Sequence, residues 1–316
     1  MSAKRGATDL SGILLIDKAS GMTSHDVVDR VRRITGERRV GHAGTLDPAA
    51  TGLLVVLVGP ATRLAPYLTA AEKTYEARIE FGAETDTDDA DGRITLTASV
   101  PEEVCDPFAA AGFVASLVGV HEQVPPAFSA IKRGGVTAYE AARKGEELEL
   151  EARSIEVTAA RLTGVHIEPP AWDVQFEVSK GTYIRALARD LGRALDTAAH
   201  LGALRRTRSG ALAVESASTL EEFAAAAGGA TAGDAGIESL FADPVAALGL
   251  PSMAIDNAEM AVVKDGRPLS GDFACSTDGA AVALSHDGRL AAIYATFGAM
   301  AKPLVVVPGG VSGGVR

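Results

Sequence analysis

The chain has 316 residues, 47% hydrophobic and 22% charged, a balance that fills a buried core and excludes disorder, collagen and coiled coil. At roughly 150 residues per domain, that length suggests two domains. The net charge of −11 argues at first against a nucleic-acid partner, but it divides into +3 over residues 1–70, −12 over 71–178, +5 over 179–210 and −7 over 211–316. Two basic islands in an acidic chain form either one positive groove or scattered solvated charge.

Gly12 to Asp17 is a short apolar run and reads as a buried strand. Thr23 or Ser24 then caps a helix with Val27, Val28, Val31 and Ile34 at helical spacing, and Gly36 ends it. Arg30, Arg32 and Arg33 occupy its other face, with Arg38 and Arg39 just beyond. A polar loop, Gly41 to Pro48, leads to a strand over Leu53 to Val58. Lys73 to Phe81 alternates, with Tyr75, Ala77, Ile79 and Phe81 on one strand face. Residues 121–150, with Pro125-Pro126, Gly134-Gly135 and a short helix ended by Gly145, read as an insertion projecting from the core. Trp172 to Val178 is a further strand. The helix after it places Ile184, Leu187, Ala188, Leu191 and Leu195 on one stripe and Arg185, Arg189 and Arg193 on another. An Ala/Gly-rich stretch near 223–236 reads as a linker, and short strands at 281–284, 290–294 and 304–307 as a small all-β module.

The longest branched-apolar run is far short of the roughly 20 residues that span a bilayer. The basic N-terminus is followed by no apolar stretch, so neither membrane nor secretion is expected and the chain reads as cytoplasmic. Cys105 and Cys275 lie far apart and suggest no disulfide framework or metal knuckle.

Asp47 is followed by Pro48, which pushes it towards extended geometry, and is flanked by glycines that permit close approach to the backbone. A carboxylate shown on such a loop is a candidate nucleophile, or else an Asx turn that bonds its own backbone. The acidic run from Asp86 to Asp91 fails as an EF-hand: with Gly92 at position six the loop needs an acid at 87 and a glutamate at 98, where Thr87 and Ala98 stand. It reads as a solvated turn or as a loop orienting a cation of the site. Arg185 opens a helix, where the macrodipole disfavours a cation. Its compensating negative charge is a structural carboxylate, a catalytic carboxylate or a phosphate. Tyr75 is a core residue or a platform for a nucleobase, and His42 alone reads as a hydrogen-bonded loop residue. Fingerprints of nucleotide-cofactor and metal sites are missing from the sequence.

In order, GILLIDK, GMTSHDVV, VGHAGTLDPAATGLL, KTYEARIEFG, TDTDDADG, PPAFSAIK, KGTYIRALARDLG and AHLGALRRTRSG run through residues 12–212. These stretches resemble the bacterial tRNA pseudouridine-55 synthases of the TruB type, and the last third is loosely similar to a PUA-like RNA-binding module. The resemblance implies a mixed α/β fold around a largely antiparallel sheet: a catalytic domain over 1–220 with an RNA-clamping insertion near 121–150, a linker over 221–244 and a PUA-like domain over 245–316. It implies an isomerase acting on tRNA as a monomer without cofactor or metal. By the same resemblance the catalytic aspartate falls on Asp47, the stacking tyrosine on Tyr75 and the arginine paired with the aspartate, holding it ionised, on Arg185. His42, Leu204, Lys18, Lys132, Arg205 and Arg206 fall on substrate contacts, and Asp89 on the orienting acidic loop. Ala19 stands where the family often has proline, and Phe128 where it often has tyrosine. The alternative from another class is a non-catalytic tRNA-binding or RNA-chaperone protein on this scaffold. A small-molecule hydrolase using Asp47 leaves the basic islands unexplained.

Overall fold

A computed structural model of the chain describes residues 8–313, apart from 147, 229–235, 272 and 274–276. Cys275 and part of the expected linker lie outside the described residues. The chain forms two compact units, one of residues 1–71 with 208–316 and one of residues 72–207.

The first unit opens with β1 (Gly12–Lys18), α1 (Ser24–Thr35), β2 (Val40–His42), β3 (Thr51–Val58) and α2 (Ala65–Ala70). β1 runs antiparallel to β3, from Gly12 opposite Val58 to Lys18 opposite Gly52, and β2 also pairs antiparallel with β3. The start of α1 is set by a reciprocal cap: the Thr23 hydroxyl accepts from the Asp26 N–H while the Asp26 carboxylate accepts from the Thr23 N–H. Gly36 closes the helix at φ 69°, a left-handed position that favours glycine.

The second unit holds β4 (Lys73–Phe81), β5 (Ala83–Thr85), β6 (Ile94–Thr97), α3 (Pro107–Ser116), β7 (Gly119–Gln123), β8 (Lys132–Arg133), β9 (Val136–Thr137), α4 (Ala138–Arg143), β10 (Arg153–Ile167), β11 (Pro170–Val178), α5 (Ile184–Ala194) and β12 (Ala199–Ser209), within which the chain leaves the unit. Its sheet runs β12-β4-β11-β10-β7, and β4–β11, β11–β10 and β10–β7 are antiparallel. Tyr75, Ala77, Ile79 and Phe81 are buried on one face of β4, and α5 packs against that strand. Trp172 meets Phe81 edge to face at 4.8 Å, and its indole N–H donates to the Val104 carbonyl at 2.7 Å. The 15-residue strand β10 is not anticipated by the alternation pattern. Register shifts between Val157 and Ala159 and between Leu162 and Gly164 reset its inward face twice, so no period of two survives. In the insertion, Gly134 and Gly135, at φ 61° and 88°, make the two-residue turn between β8 and β9.

On its return the chain forms β13 (Leu212–Ala213), α6 (Leu220–Gly228), α7 (Pro244–Leu248), β14 (Ser252–Ala254), α8 (Asn257–Lys264), β15 (Leu269–Ser270), β16 (Ala281–His286), β17 (Arg289–Phe297) and β18 (Met300–Val311). The stretch expected as a linker begins as helix α6, packed on α1, with Phe223 buried. Apolar content outweighed the Ala/Gly composition there. The last strands form a separate sheet, β14-β16-β17-β18-β15. One core, around Met260, Val263, Leu284 and Tyr294, is its own. Another joins Ala283, Ile293 and Val307 to Ile13, Leu53, Val55 and Leu57 of β1 and β3. That shared core is why the first and last thirds of the chain form one compact unit. Among the described residues, no helix is long and apolar enough to cross a membrane.

Candidate active site

Asp47 lies half-exposed on the loop between β2 and β3, in the first unit. Ala43, Leu46 and Ala50 are buried around it, so the loop is pinned on both sides of the carboxylate. The Ser24 hydroxyl donates to the Leu46 carbonyl at 3.0 Å and accepts from the Leu46 N–H at 2.8 Å. The Asp47 carbonyl accepts from the Ala50 N–H at 3.1 Å, and the Pro48 carbonyl from the Gly21 N–H at 2.9 Å. Lys18 completes the clamp. Only 1% exposed, it sends its ammonium to the carbonyls of Ala19, Met22 and Pro48 at 2.9, 2.8 and 3.1 Å. A lysine this enclosed fits the work of tying the Asp47 loop to the turn after β1 better than that of meeting a substrate at a surface. Ala19 contributes through its carbonyl, so its departure from the family's usual proline leaves this bond intact.

Lys18→Met should therefore cost about 2–4 kcal/mol of stability, since three carbonyls lose a charged donor in a buried setting. Urea unfolding checks this. A loss under about 0.5 kcal/mol, the range of an ordinary surface change, would mean that the clamp is not formed.

In the second unit, Arg185 lies in the first turn of α5, just after the N-cap Tyr183. It is buried, and its fork is divided: one Nη donates to the Thr87 carbonyl at 2.8 Å, the other to the Phe128 carbonyl at 3.1 Å, and Nε lies 3.7 Å from the Asp89 carboxylate. Asp89 is itself oriented, accepting from the Thr87 hydroxyl at 2.6 Å and the Asp91 N–H at 3.2 Å. An acid and two carbonyls thus answer the helix-dipole penalty on this cation. Phe128 also acts through its backbone here, so its departure from the family's usual tyrosine leaves this bond intact.

The other two arginines of the stripe, unremarkable in sequence, are equally engaged. Arg189 pairs with Asp88 at 2.8 Å, and Arg193 with Glu84 at 2.7 Å. Burial pushes the Asp88 carboxyl above its ordinary value, against the opposing pull of Arg189, Arg185 and Arg193. Gln123, enclosed at 2% exposure, grips the residue before α5 twice: its amide donates to the Tyr183 carbonyl at 3.1 Å and its oxygen accepts from the Tyr183 N–H at 2.9 Å. Sequence reasoning missed Gln123, which carries no signal beyond its place before Pro125-Pro126.

Tyr75 stands buried on β4 opposite Phe176 of β11, near the strand's start. At that start, burial together with the charges of Arg206 and Lys180 lowers the Lys73 ammonium to about 8. On β12, Leu204 and Arg205 are half-buried and Arg206 is enclosed at 1% exposure. Neighbouring residues on a strand face opposite ways, so the two arginines expected to share RNA contacts are separated. His42 ends β2, opposite Val56 of β3, and is half-buried. Lys132 lies in β8, and its side chain falls outside the described residues. In the other basic island, Arg32 is 2.8 Å from Asp29, Arg30 3.5 Å from Glu221 and Arg39 3.7 Å from Glu37. Much of that cluster's charge is already answered within its own unit.

Residues 32–184 match the model of the TruB family pseudouridylate synthase N-terminal domain, and residues 185–240 that of the tRNA pseudouridylate synthase B C-terminal domain. Among curated proteins, the tRNA pseudouridine synthase B of Mycobacteroides abscessus is 43% identical over 304 residues, covering 94% of this chain and 96% of that protein. The protein of the same name from Thermobifida fusca is 51% identical over 220 residues, covering 68% of this chain and 74% of its own. Among solved structures, one titled as a Cbf5-Nop10-Gar1 complex matches with a TM-score of 0.68 and 25% identity, over 90% of this chain and 78% of that chain. The chain belongs to the TruB family of pseudouridylate synthases, and so to the isomerases.

Proposed function

We propose that the protein converts uridine to pseudouridine at position 55, in the TΨC loop of tRNA, with Asp47 as its catalytic carboxylate and no cofactor. The observation that carries this reading is the pinned loop that presents Asp47, in a chain whose relatives are named tRNA pseudouridine synthase B. The reaction breaks the C1′–N1 bond, turns the uracil and joins C5 to C1′; C5 gives up its hydrogen as a proton and N1 takes a proton up, so the product is an isomer of the substrate. Atoms and electrons balance without an oxidant or reductant. Asp47 provides the carboxylate for the bond exchange, Arg185 is its charge partner, and Tyr75 is the platform for the extruded base. Extrusion costs a few kcal/mol, and stacking at roughly 1–3 kcal/mol offsets much of it.

In this reading residues 1–220 are the catalytic part, with 121–150 as a clamp on RNA. Residues 245–316 are a PUA-like RNA-binding part, and the protein acts as a monomer. Support for the clamp is local: Phe128 and Tyr139 meet edge to face at 5.9 Å, and the Arg143 guanidinium lies 6.0 Å from the half-exposed Tyr139 ring. A tRNA transcript treated with the protein and then with a carbodiimide that marks pseudouridine should show one reverse-transcription stop, immediately 3′ of position 55. A stop elsewhere, or none, overturns the assigned position.

A further inference from the structure

Arg189, on the second turn of α5, is buried, and every nitrogen of its guanidinium is used. One Nη donates to Asp88 at 2.8 Å, the other to the Val124 carbonyl at 2.9 Å, and Nε to Asp190 at 2.9 Å. Asp88 is unusual in its backbone. It is buried at φ 60°, in the left-handed region that side-chain-bearing residues seldom occupy, and its carbonyl accepts from the Leu201 N–H at 3.0 Å. The residues on either side of it both address Arg185, Thr87 through its carbonyl and Asp89 through its carboxylate. The turn at Asp88 therefore aims two of the groups that hold Arg185. Another, the Phe128 carbonyl, comes from the root of the insertion, the same stretch whose Val124 carbonyl binds Arg189. Two arginines, four residues apart on one helix face, thus bridge the same two segments.

We infer that the Arg189–Asp88 pair is a positioning device for Arg185, holding the acidic loop and the root of the insertion in the arrangement that fixes the Arg185 guanidinium. The inference rests on the reading of Arg185 as part of the catalytic machinery. Both members of the pair are buried, so its loss should act on turnover and not on tRNA affinity. Its effect also passes through Arg185, so it disappears where Arg185 has already been altered.

The test uses the full chain with a tRNA transcript, in Arg189→Met, Arg189→Lys and Asp88→Asn, each with and without Arg185→Lys. Asp88→Asn keeps the size of the side chain and serves if Arg189→Met does not fold. The expected result is a fall in kcat of about 30-fold for Arg189→Met with KM within about threefold, partly restored in Arg189→Lys. In the Arg185→Lys background the same change should cost less than about threefold. Equal costs in both backgrounds, or a rise in KM with kcat kept, would overturn the inference. A readout that needs no turnover runs beside it: nitrogen-resolved exchange of the Arg185 Nε–H with solvent, which should quicken about tenfold or more in Arg189→Met and Asp88→Asn. Unchanged exchange overturns the positioning role even if activity falls. A parent that shows no turnover counts against the proposed function, while the exchange measurement still decides the inference.

Discussion

Asp47→Asn is expected to leave less than about one per cent of pseudouridine formation while tRNA affinity stays within about threefold, or roughly 0.7 kcal/mol. A hundredfold loss corresponds to about 2.7 kcal/mol of transition-state stabilisation, a modest demand on a group assigned to the bond exchange itself. The substitution is nearly isosteric. The Lys18 and Ser24 bonds that hold the loop go to backbone atoms, and they stay in place when the side chain changes. What changes is the charge and the nucleophilic or basic oxygen. Single-turnover rates and filter-binding affinities of the two proteins on one transcript check this. Residual turnover above about one per cent, with deamidation back to aspartate excluded by mass, would remove Asp47 from its role.

The second large effect is expected at Arg185, even when its charge is kept. In the structure its planar fork serves two carbonyls and a carboxylate that come from different segments. A lysine carries the same charge as a compact ammonium on a flexible stem and does not reproduce that spread. Arg185→Lys should lower kcat about 100-fold, with tRNA affinity within about threefold. A lysine variant turning over nearly as fast as the parent would reduce the role of Arg185 to electrostatics alone.

Much of this architecture is legible in the sequence because local signals agree with one another. Thr23 and Asp26 three residues apart, the valines at helical spacing and Gly36 together delimit α1, and the alternation from Lys73 to Phe81 delimits β4. β10 is illegible because its two bulges break the alternation on which a strand is recognised. α3 escapes because an almost wholly apolar PFAAAGFVAS shows no contrast between faces. At the site, residue types point to Asp47 and Arg185, but burial decides what the other cations do. Lys18 looks like a substrate contact and is enclosed among carbonyls, and Arg206 is enclosed beside Lys73. Arginines at 185, 189 and 193 on one helix stripe call for three acids, and the acidic segment from Glu84 to Asp89 provides them. The period-two rule alone would likewise have separated Arg205 from Arg206.

In the proposed reaction the protein exchanges a C–N for a C–C glycosidic bond at one uridine of tRNA. The measurement that reaches it most directly is tritium release from a tRNA transcript labelled at C5 of its uridines, because C5 loses its hydrogen only when it becomes the point of attachment to ribose. Release should level off at one tritium per tRNA with the parent protein and stay at background with Asp47→Asn. Tight binding of the transcript by the parent with no release would contradict the proposed reaction, and would make the protein an RNA binder on an isomerase scaffold.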